Sequence, residues 1–192
     1  LNYLITPDLQ IGVLGGYEQF NFTSQAYMGG LKGNGWTAGG FLAWRLASNL
    51  RFDLAGARSN IAAADTAGTA TGNFNAARWF ASSGLTGTFG REAWVFEPSA
   101  QVYALWESEP NYVDSLGTLQ AARSFYTGRG SAGVKVSYQF PTGAGAVAPY
   151  AGLYGDYYFS KDNGTIDPLT IVPIIQGWGA RATGGIAATF AG

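Results

Sequence analysis

The sequence of 192 residues contains neither cysteine nor histidine. The absence of cysteine excludes a disulfide framework and a thiolate zinc site. The absence of histidine removes the commonest general base and metal ligand, and with it serine–histidine and cysteine–histidine catalysis. The carboxylates are few and scattered, so no paired acid/base site is predicted. We therefore expect a protein that is not an enzyme and that needs no cofactor or metal.

Charged residues are also scarce, at 12% of the chain against about 25% in an average soluble domain. The formal net charge of −1 argues against binding to nucleic acid, which requires a basic surface.

Long apolar runs are missing too. The nearest candidate for a membrane-spanning helix, residues 144–159, is interrupted by Pro149 and Asp156, and a helical span needs about 20 apolar residues.

Glycine (29 residues) and aromatic residues (15%) are abundant, and apolar residues alternate with polar ones along most of the chain. This period of two predicts strands. They are long, whereas soluble strands average about five or six residues and a tilted membrane-spanning strand needs about nine to eleven. The pattern predicts an all-β, antiparallel up-and-down transmembrane β-barrel in one domain, residues 1–192. About eight full strands and a partial one are expected, at 1–5, 8–20, 34–47, 49–59, 76–90, 92–106, 124–140, 146–159 and 177–190.

The predicted connections alternate in length along the chain. Short ones are expected at 6–8, 47–49, 90–92 and 141–145, and long ones at 21–33, 60–75, 107–123 and 160–176. Outer-membrane barrels sort their loops in this way, with short periplasmic turns and longer external loops. We expect the long connections, including the Ala-, Gly- and Thr-rich segment 62–75, to be external loops.

The predicted strands have one polar and one apolar face. In 92–106, Trp94, Val102 and Trp106 alternate with Glu97 and Gln101. We expect the polar face to line a lumen, where its charges either pair with one another or contact a plug: Glu18, Arg45, Arg51, Asp53, Arg78, Glu97, Arg129, Lys135, Asp156 and Arg181. Tryptophan and tyrosine collect at membrane interfaces, so we expect two aromatic girdles on the apolar face: Trp36, Trp44, Trp79, Trp94, Trp106, Tyr126, Tyr138, Trp178 and Phe190. A soluble β-sandwich would also alternate, but its polar face would meet water and carry many Lys and Glu.

Gly128, Gly130 and Gly133 form a G-x-G-x-x-G pattern. A dinucleotide site needs a helix directly after this pattern. Here residues 134–140 continue as a predicted strand, so nucleotide binding is not expected. Small residues at these positions are predicted to relieve crowding inside a barrel.

Four stretches together resemble the C-terminal translocator β-barrel domain of autotransporters, the type V secretion proteins. The first is LNYLITPDLQIGVLGGYEQFNF, with the turn Thr6-Pro7-Asp8 before an apolar strand that reaches Gly16-Tyr17. The others are FEPSAQVYALW, ARSFYTGRGSAGVKVSYQF and VAPYAGLYGDYYF. The resemblance covers nearly the whole chain, and it depends on patterned positions and not on one diagnostic motif.

The resemblance implies an outer-membrane barrel of twelve strands with a helix through its lumen. It further implies a Gram-negative bacterium, an N-terminal passenger that is exported or displayed at the surface, and contacts with outer-membrane lipid and the barrel-assembly machinery. Compared with that family, the chain is expected to be truncated at both ends, without the opening strand, the lumen helix and the last two strands. Two alternatives remain open: a stand-alone small outer-membrane barrel, porin-like or adhesive, and a soluble carbohydrate-binding β domain.

Overall fold

The structure is a computed structural model that describes residues 1–24, 28–142, 145–162 and 176–190. Thirteen strands and no helix occur among these residues, so none of them forms a helix long and apolar enough to cross a membrane. The strands are β1 Asn2–Thr6, β2 Leu9–Ser24, β3 Gly29–Ala47, β4 Leu50–Ala67, β5 Ala70–Gly87, β6 Phe89–Arg91, β7 Trp94–Glu109, β8 Tyr112–Val113, β9 Leu119–Gln120, β10 Arg123–Tyr138, β11 Phe140–Thr142, β12 Gly145–Asp162 and β13 Gly177–Phe190.

One antiparallel meander contains nearly all of these strands. Its order is β1-β2-β3-β4-β5-β7-β10-β12-β13, with the short β6 and β11 paired to the ends of β7 and β12. The small hairpin β8–β9 forms a separate two-stranded sheet. Within the described residues β1 and β13 do not pair with each other, so the sheet is not closed. The predicted all-β, antiparallel up-and-down fold of the β-barrel type is confirmed.

The first strands are longer than the sequence predicts, and the extra length lies at one end. The prediction that segment 62–75 is an external loop is wrong. In the structure β4 continues to Ala67, and β5 begins at Ala70, directly opposite Ala67. Gly68 has a φ of 59°, a left-handed conformation that suits glycine in a tight turn. Most of the predicted loop 21–33 is likewise strand. The alternation fades there because small and polar residues occupy both faces, yet the backbone pairing continues.

The sheet has two different faces, and it curls. On β7 the even-numbered side chains are more exposed than most of the odd-numbered ones. The register with β5 and β10 places the side chains of these strands on the same two faces. Glu18 on β2 contacts Arg78 on β5, although β3 and β4 lie between them. Three strand spacings of about 4.8 Å amount to about 14 Å on a flat sheet. The sheet therefore curves with Glu18 and Arg78 on its concave side, which we call the charged face; we call the convex side the aromatic face.

Among the described residues the buried apolar side chains are Ile61 and a few alanines, and most of them lie on the charged face of β4 and β5: Ala57, Ile61, Ala63 and Ala76. On the aromatic face, in contrast, Trp36 is 70% exposed and Trp178 is 84% exposed. Within the described part of the chain no second sheet covers this face. A soluble β-sandwich would bury such residues between two sheets, so the fold does not have that architecture.

Candidate functional site

The candidate site is the concave charged face, where the strand register places all ten predicted polar residues: Glu18, Arg45, Arg51, Asp53, Arg78, Glu97, Arg129, Lys135, Asp156 and Arg181. Cross-strand partners lie side by side on one face of an antiparallel pair. The register and the curvature together decide which of these charges meet.

Arg78 lies at the centre of the first cluster. Its Nη1 donates to both carboxylate oxygens of Glu18 at 3.1 Å, and its Nε donates to Glu107 Oε2 at 2.5 Å. Small side chains make room for these contacts: Gly35 lies opposite Glu18, and Ser59 lies opposite Arg78. The sequence prediction missed Glu107 because it ended the strand at residue 106.

Arg181 organises a second cluster on the last two strands. Its Nε donates to Asp156 Oδ2 at 3.2 Å, and its Nη2 donates to Ser131 Oγ at 3.2 Å. The guanidinium also lies 4.3 Å from the ring centre of Tyr154. Asp156 is 1% exposed, and burial of a carboxylate is tolerated only when it is paired in this way. Sequence alternation placed Asp156, Arg181 and Ser131 on the polar face, but it did not show that Ser131 and Tyr154 contact Arg181.

The remaining charges form shorter-range pairs, with one exception. Lys135 Nζ lies 2.7 Å from Glu97 Oε2, and Arg51 Nε lies 2.9 Å from Asp53 Oδ2. Arg45 approaches Asp8 at 3.6 Å, and both side chains are more than half exposed. Arg129 makes no ion pair within the described residues, and its guanidinium lies 6.0 Å from the ring centre of Tyr158. Each carboxylate of the predicted set thus has a cationic partner, and Arg129 is left over. No three of the described carboxylates could hold a metal ion.

The predicted girdle residues lie on the aromatic face in two bands. At one end Trp79, Trp106 and Tyr126 occupy directly opposed positions on three neighbouring strands. At the other end Trp94 packs edge-on against Tyr138, with ring centres 4.9 Å apart. Trp36 and Trp178 join the first band and Trp44 the second, whereas the side chain of Phe190 lies outside the described residues. Tyr17 and Tyr157, whose rings pack at a tilt against Trp36 and Trp178, were not predicted.

The separation of the two bands can be measured along β7. Trp94 and Trp106 are twelve positions apart on this strand. At about 3.4 Å per residue and a tilt of about 40°, this separation projects to about 30 Å. That height matches the hydrocarbon thickness of a bilayer. The convex face therefore has the dimensions of a membrane-spanning surface.

The family model of the autotransporter β-domain matches residues 1–190. The chain belongs to the autotransporter β-domain family. No curated protein matches the chain. The match confirms the resemblance found in the sequence, and it identifies the chain as an outer-membrane translocator barrel of the type V secretion class. A passenger segment and embedding in the membrane follow from this membership.

A loop of this β-domain folds back onto the charged face. The loop at residues 110–122 contains the hairpin β8–β9, and Tyr112 donates its hydroxyl proton to Asp65 Oδ2 at 2.7 Å. The Tyr112 ring stacks on Phe74 at 5.1 Å and fills the space above Gly72. Burial and the hydrogen bond to Asp65 raise the pKa of the Tyr112 hydroxyl above its usual range. Sequence reasoning gave no signal for this contact.

Asp114 shapes the same loop. Its Oδ1 accepts hydrogen bonds from the backbone N–H groups of Leu116 and Thr118, and its Oδ2 accepts one from Gln120. The hydrogen bonds from Thr118 and Gln120 lower the pKa of the Asp114 carboxyl, because they favour the charged form.

The three glycines of the G-x-G-x-x-G pattern do not share one role. A Cβ on Gly133 would collide with the backbone and the ring of Tyr154 on the charged face, as the prediction of interior crowding requires. Gly128 and Gly130 instead lie on the aromatic face. Gly130 has open space around it, so interior crowding does not explain it.

Proposed function

We propose that residues 1–192 act as one domain that anchors in the outer membrane of a Gram-negative bacterium and exports or displays an N-terminal passenger through its lumen. One observation carries the proposal: the two sides of a single curled sheet have opposite character. The concave side holds paired charges, and the convex side holds exposed apolar residues between two aromatic bands. We assign the charged face to the lumen and the aromatic face to lipid.

The energetics support this assignment of the faces. A charged side chain in hydrocarbon costs several kcal/mol, so the clustered charges of one face need a wet or polar interior. The aromatic bands suit the headgroup level, where an amphipathic ring has both an apolar and a polar neighbour. A lipid-facing position for Trp36 and Trp178 also accounts for their exposure.

The charge balance of the lumen supports passage of a polypeptide. Glu18, Glu97 and Asp156 are each neutralised by a partner, so the described residues of the lumen do not form the cluster of one sign that an ion-selective filter needs. A balanced, hydrogen-bonding wall offers a passing chain contacts without holding it at one place. Arg129, which has no ion-pair partner among the described residues, is available to a carboxylate of a lumen segment.

The family membership does not favour a stand-alone porin-like or adhesive barrel. We propose a role without catalysis, because most of the described charged groups on the concave face are held in ion pairs. We also propose that the barrel-assembly machinery inserts the domain, since a sheet with exposed apolar residues on one side needs help to reach the membrane.

Surface display of the passenger side tests the proposal. An epitope placed in the passenger, far upstream of Leu1 in the full-length protein, should bind antibody on intact cells. The same epitope inserted at Ser48, in a short turn, should bind only after the outer membrane is opened. A folded, membrane-embedded barrel whose passenger epitope stays inaccessible on intact cells would contradict passenger export and favour the stand-alone barrel.

A further inference from the structure

A groove lies on the aromatic face, just beyond the band that contains Trp36 and Trp79. Its floor is β4, and its walls come from β2, β3 and β5. The outward side chains are small on the floor and mostly amides on the walls. We call it the amide groove, and its outward residues are Gln19, Asn21, Lys32, Asn34, Ala62, Ala64, Asn73 and Asn75.

The strand register builds this groove in two rows. In the lower row Asn34 and Asn75 lie on either side of Ala62. In the upper row Lys32 and Asn73 lie on either side of Ala64. Alanine in the middle and longer side chains at both sides leave a concavity of about 650 Å³. All of these residues are exposed, so their amide and ammonium groups are accessible from outside the sheet.

The charge on this part of the aromatic face has one sign. Every carboxylate of β2 to β5 points to the opposite, charged face: Glu18, Asp53 and Asp65. Lys32 lies in the groove, and Arg58 lies below it with its guanidinium 5.2 Å from the ring centre of Trp79. Neither cation has an ion-pair partner within the described residues. The two cations have no counter-charge here and favour an anionic ligand. The surrounding amides favour a ligand that is rich in hydroxyl groups.

We infer that the amide groove binds the sugar–phosphate headgroup of a phosphorylated glycolipid in the outer leaflet. Amide side chains offer both donors and acceptors to sugar hydroxyls, and Lys32 and Arg58 supply the charge-assisted contacts to phosphate. The groove continues the lipid-facing surface directly beyond an aromatic band, which lies at headgroup level. A second protein copy fits less well, because the groove has no large apolar side chain at its centre. The inference rests on the proposed function, which embeds the domain with this end outward.

Titration of the full-length protein with lipopolysaccharide that carries core sugars and phosphates tests the inference. Native mass spectrometry would give the dissociation constant for the wild type, Lys32→Gln, Arg58→Gln and the double variant. Each lost cation should weaken binding about fivefold, and the double variant should bind about 25-fold more weakly. Asn34→Ala with Asn75→Ala should weaken binding while leaving the charge unchanged.

Arg91→Gln is the matched control, because Arg91 is exposed on the same face at the opposite end, beside Trp94. This variant should bind like the wild type. Removal of the phosphates from the lipopolysaccharide should weaken binding to the wild type and leave the double variant unaffected. Phosphatidylglycerol, which has phosphate without sugars, should bind more weakly than the glycolipid.

The inference is overturned if the double variant binds as tightly as Arg91→Gln, or if phosphatidylglycerol binds as well as the glycolipid. Heat-modifiable mobility of each variant on gels checks that the barrel is folded. A wild-type protein that is embedded and heat-modifiable but binds no glycolipid contradicts the amide groove alone. A wild-type protein that does not embed in membranes contradicts the proposed function instead.

Discussion

Arg78 shows what a single side chain contributes to the charged face. It links Glu18, 60 positions away in the sequence, with Glu107, 29 positions away. Glu107 is largely buried and Glu18 is about one-third exposed. Without the guanidinium these two carboxylates would face each other in a partly dehydrated space. Loss of one member of a buried charge cluster therefore costs more free energy than the pair contributes.

We expect Arg78→Met to lower the free energy of unfolding by about 2 kcal/mol, because two carboxylates lose their shared partner. Adding Glu107→Gln to Arg78→Met should restore part of that loss. Arg45→Met is the control: its ion pair with Asp8 is exposed, so its cost should stay below about 1 kcal/mol. Denaturant titration of the barrel in bilayers measures all three. Equal costs for Arg78→Met and Arg45→Met would show that the cluster is not a stabilising unit.

Val102 and Gln101 are neighbours that point to opposite faces of β7. If the aromatic face meets lipid, Val102→Arg should cost about 2–4 kcal/mol, as a cation near the bilayer midplane does. Gln101→Arg adds the same charge on the charged face and should be much milder. The same bilayer titration decides, and equal costs for the two variants would mean that the faces are assigned wrongly.

Alternation in the sequence was sufficient to place charges such as Asp156 and Arg181 on one face. It could not identify their partners, because partners are set by register and curvature. The contact between Glu18 and Arg78 exists only because the sheet curls enough to bring β2 near β5. Lys32 was missed because it lay in the predicted loop 21–33, and Arg58 was missed because it is a cation on a face that the sequence marked as apolar.

At the scale of elements, a few specific hydrogen bonds fix the loop at residues 110–122 to β4 and β5. Tyr112 bonds to Asp65, and the backbone N–H of Ser115 donates to the carbonyl of Thr71 at 2.8 Å. The backbone N–H of Thr71 in turn donates to Ser115 Oγ at 2.9 Å. These contacts fix the loop on the charged face of β4 and β5, so we expect it to cover part of the end of the lumen.

Tyr112→Phe keeps the stacking on Phe74 and removes the hydrogen bond to Asp65. We expect proteolysis within the 110–122 loop to become about fivefold faster, because a partly exposed hydrogen bond contributes about 1 kcal/mol. Tyr126→Phe is the control, since the Tyr126 hydroxyl has no hydrogen-bond partner within the described residues. Limited proteolysis of the folded barrel measures both, and identical cleavage rates would contradict the contact.

The same contact predicts a pH dependence. The pKa of Tyr112 is raised in the folded protein. The protonated hydroxyl therefore makes its full contribution to the stability of the folded loop below the unfolded tyrosine pKa of about 10. It is lost only as the pH rises through the higher folded value. Protection of the loop should therefore be constant from neutral pH to about pH 9 and fall above pH 10. Loss of protection already between pH 7 and 9 would show that another group controls the loop.

The sequence predicted the number and order of the long strands correctly but not their ends. The central parts alternate strongly, as in β7 from Trp94 to Trp106. Beyond the aromatic band, residues 60–67 and 70–75 are Ala, Asn, Gly and Thr with a few others, and this composition resembles a loop. Pairing with β3 and β5 keeps residues 60–67 extended, and pairing with β4 keeps residues 70–75 extended. Such tertiary support is not visible in a local pattern.

At the scale of the whole molecule, the sheet projects further at one end than at the other. The turn between β4 and β5 lies well beyond Trp79, whereas the turn between β3 and β4 follows Trp44 closely. An outer-membrane barrel keeps its short turns in the periplasm and its longer connections outside. We therefore propose that the projecting end, with the 110–122 loop and the amide groove, faces the cell exterior.

Labelling of single cysteines tests this orientation in a chain that has no other thiol. Cysteines at Ala67 and Asp114 should react with an impermeant maleimide on intact cells. Cysteines at Ser48 and Thr142 should react only after the outer membrane is opened. A probe at Asp167, which lies outside the described residues, should behave like Ala67. Labelling at Ser48 on intact cells would reverse the orientation.

The central claim is that one curled sheet separates lipid on its convex side from a polar lumen on its concave side. Nitroxide labels at positions 101 and 102, on the full-length protein in bilayers, test it most directly, because adjacent residues then report opposite sides. Oxygen concentrates in lipid and a polar nickel chelate in water, and each broadens the spectrum of a label that it reaches. We expect position 102 to be accessible to oxygen and shielded from the chelate, and position 101 to show the reverse. Equal accessibility at the two positions, or the opposite order, would contradict it.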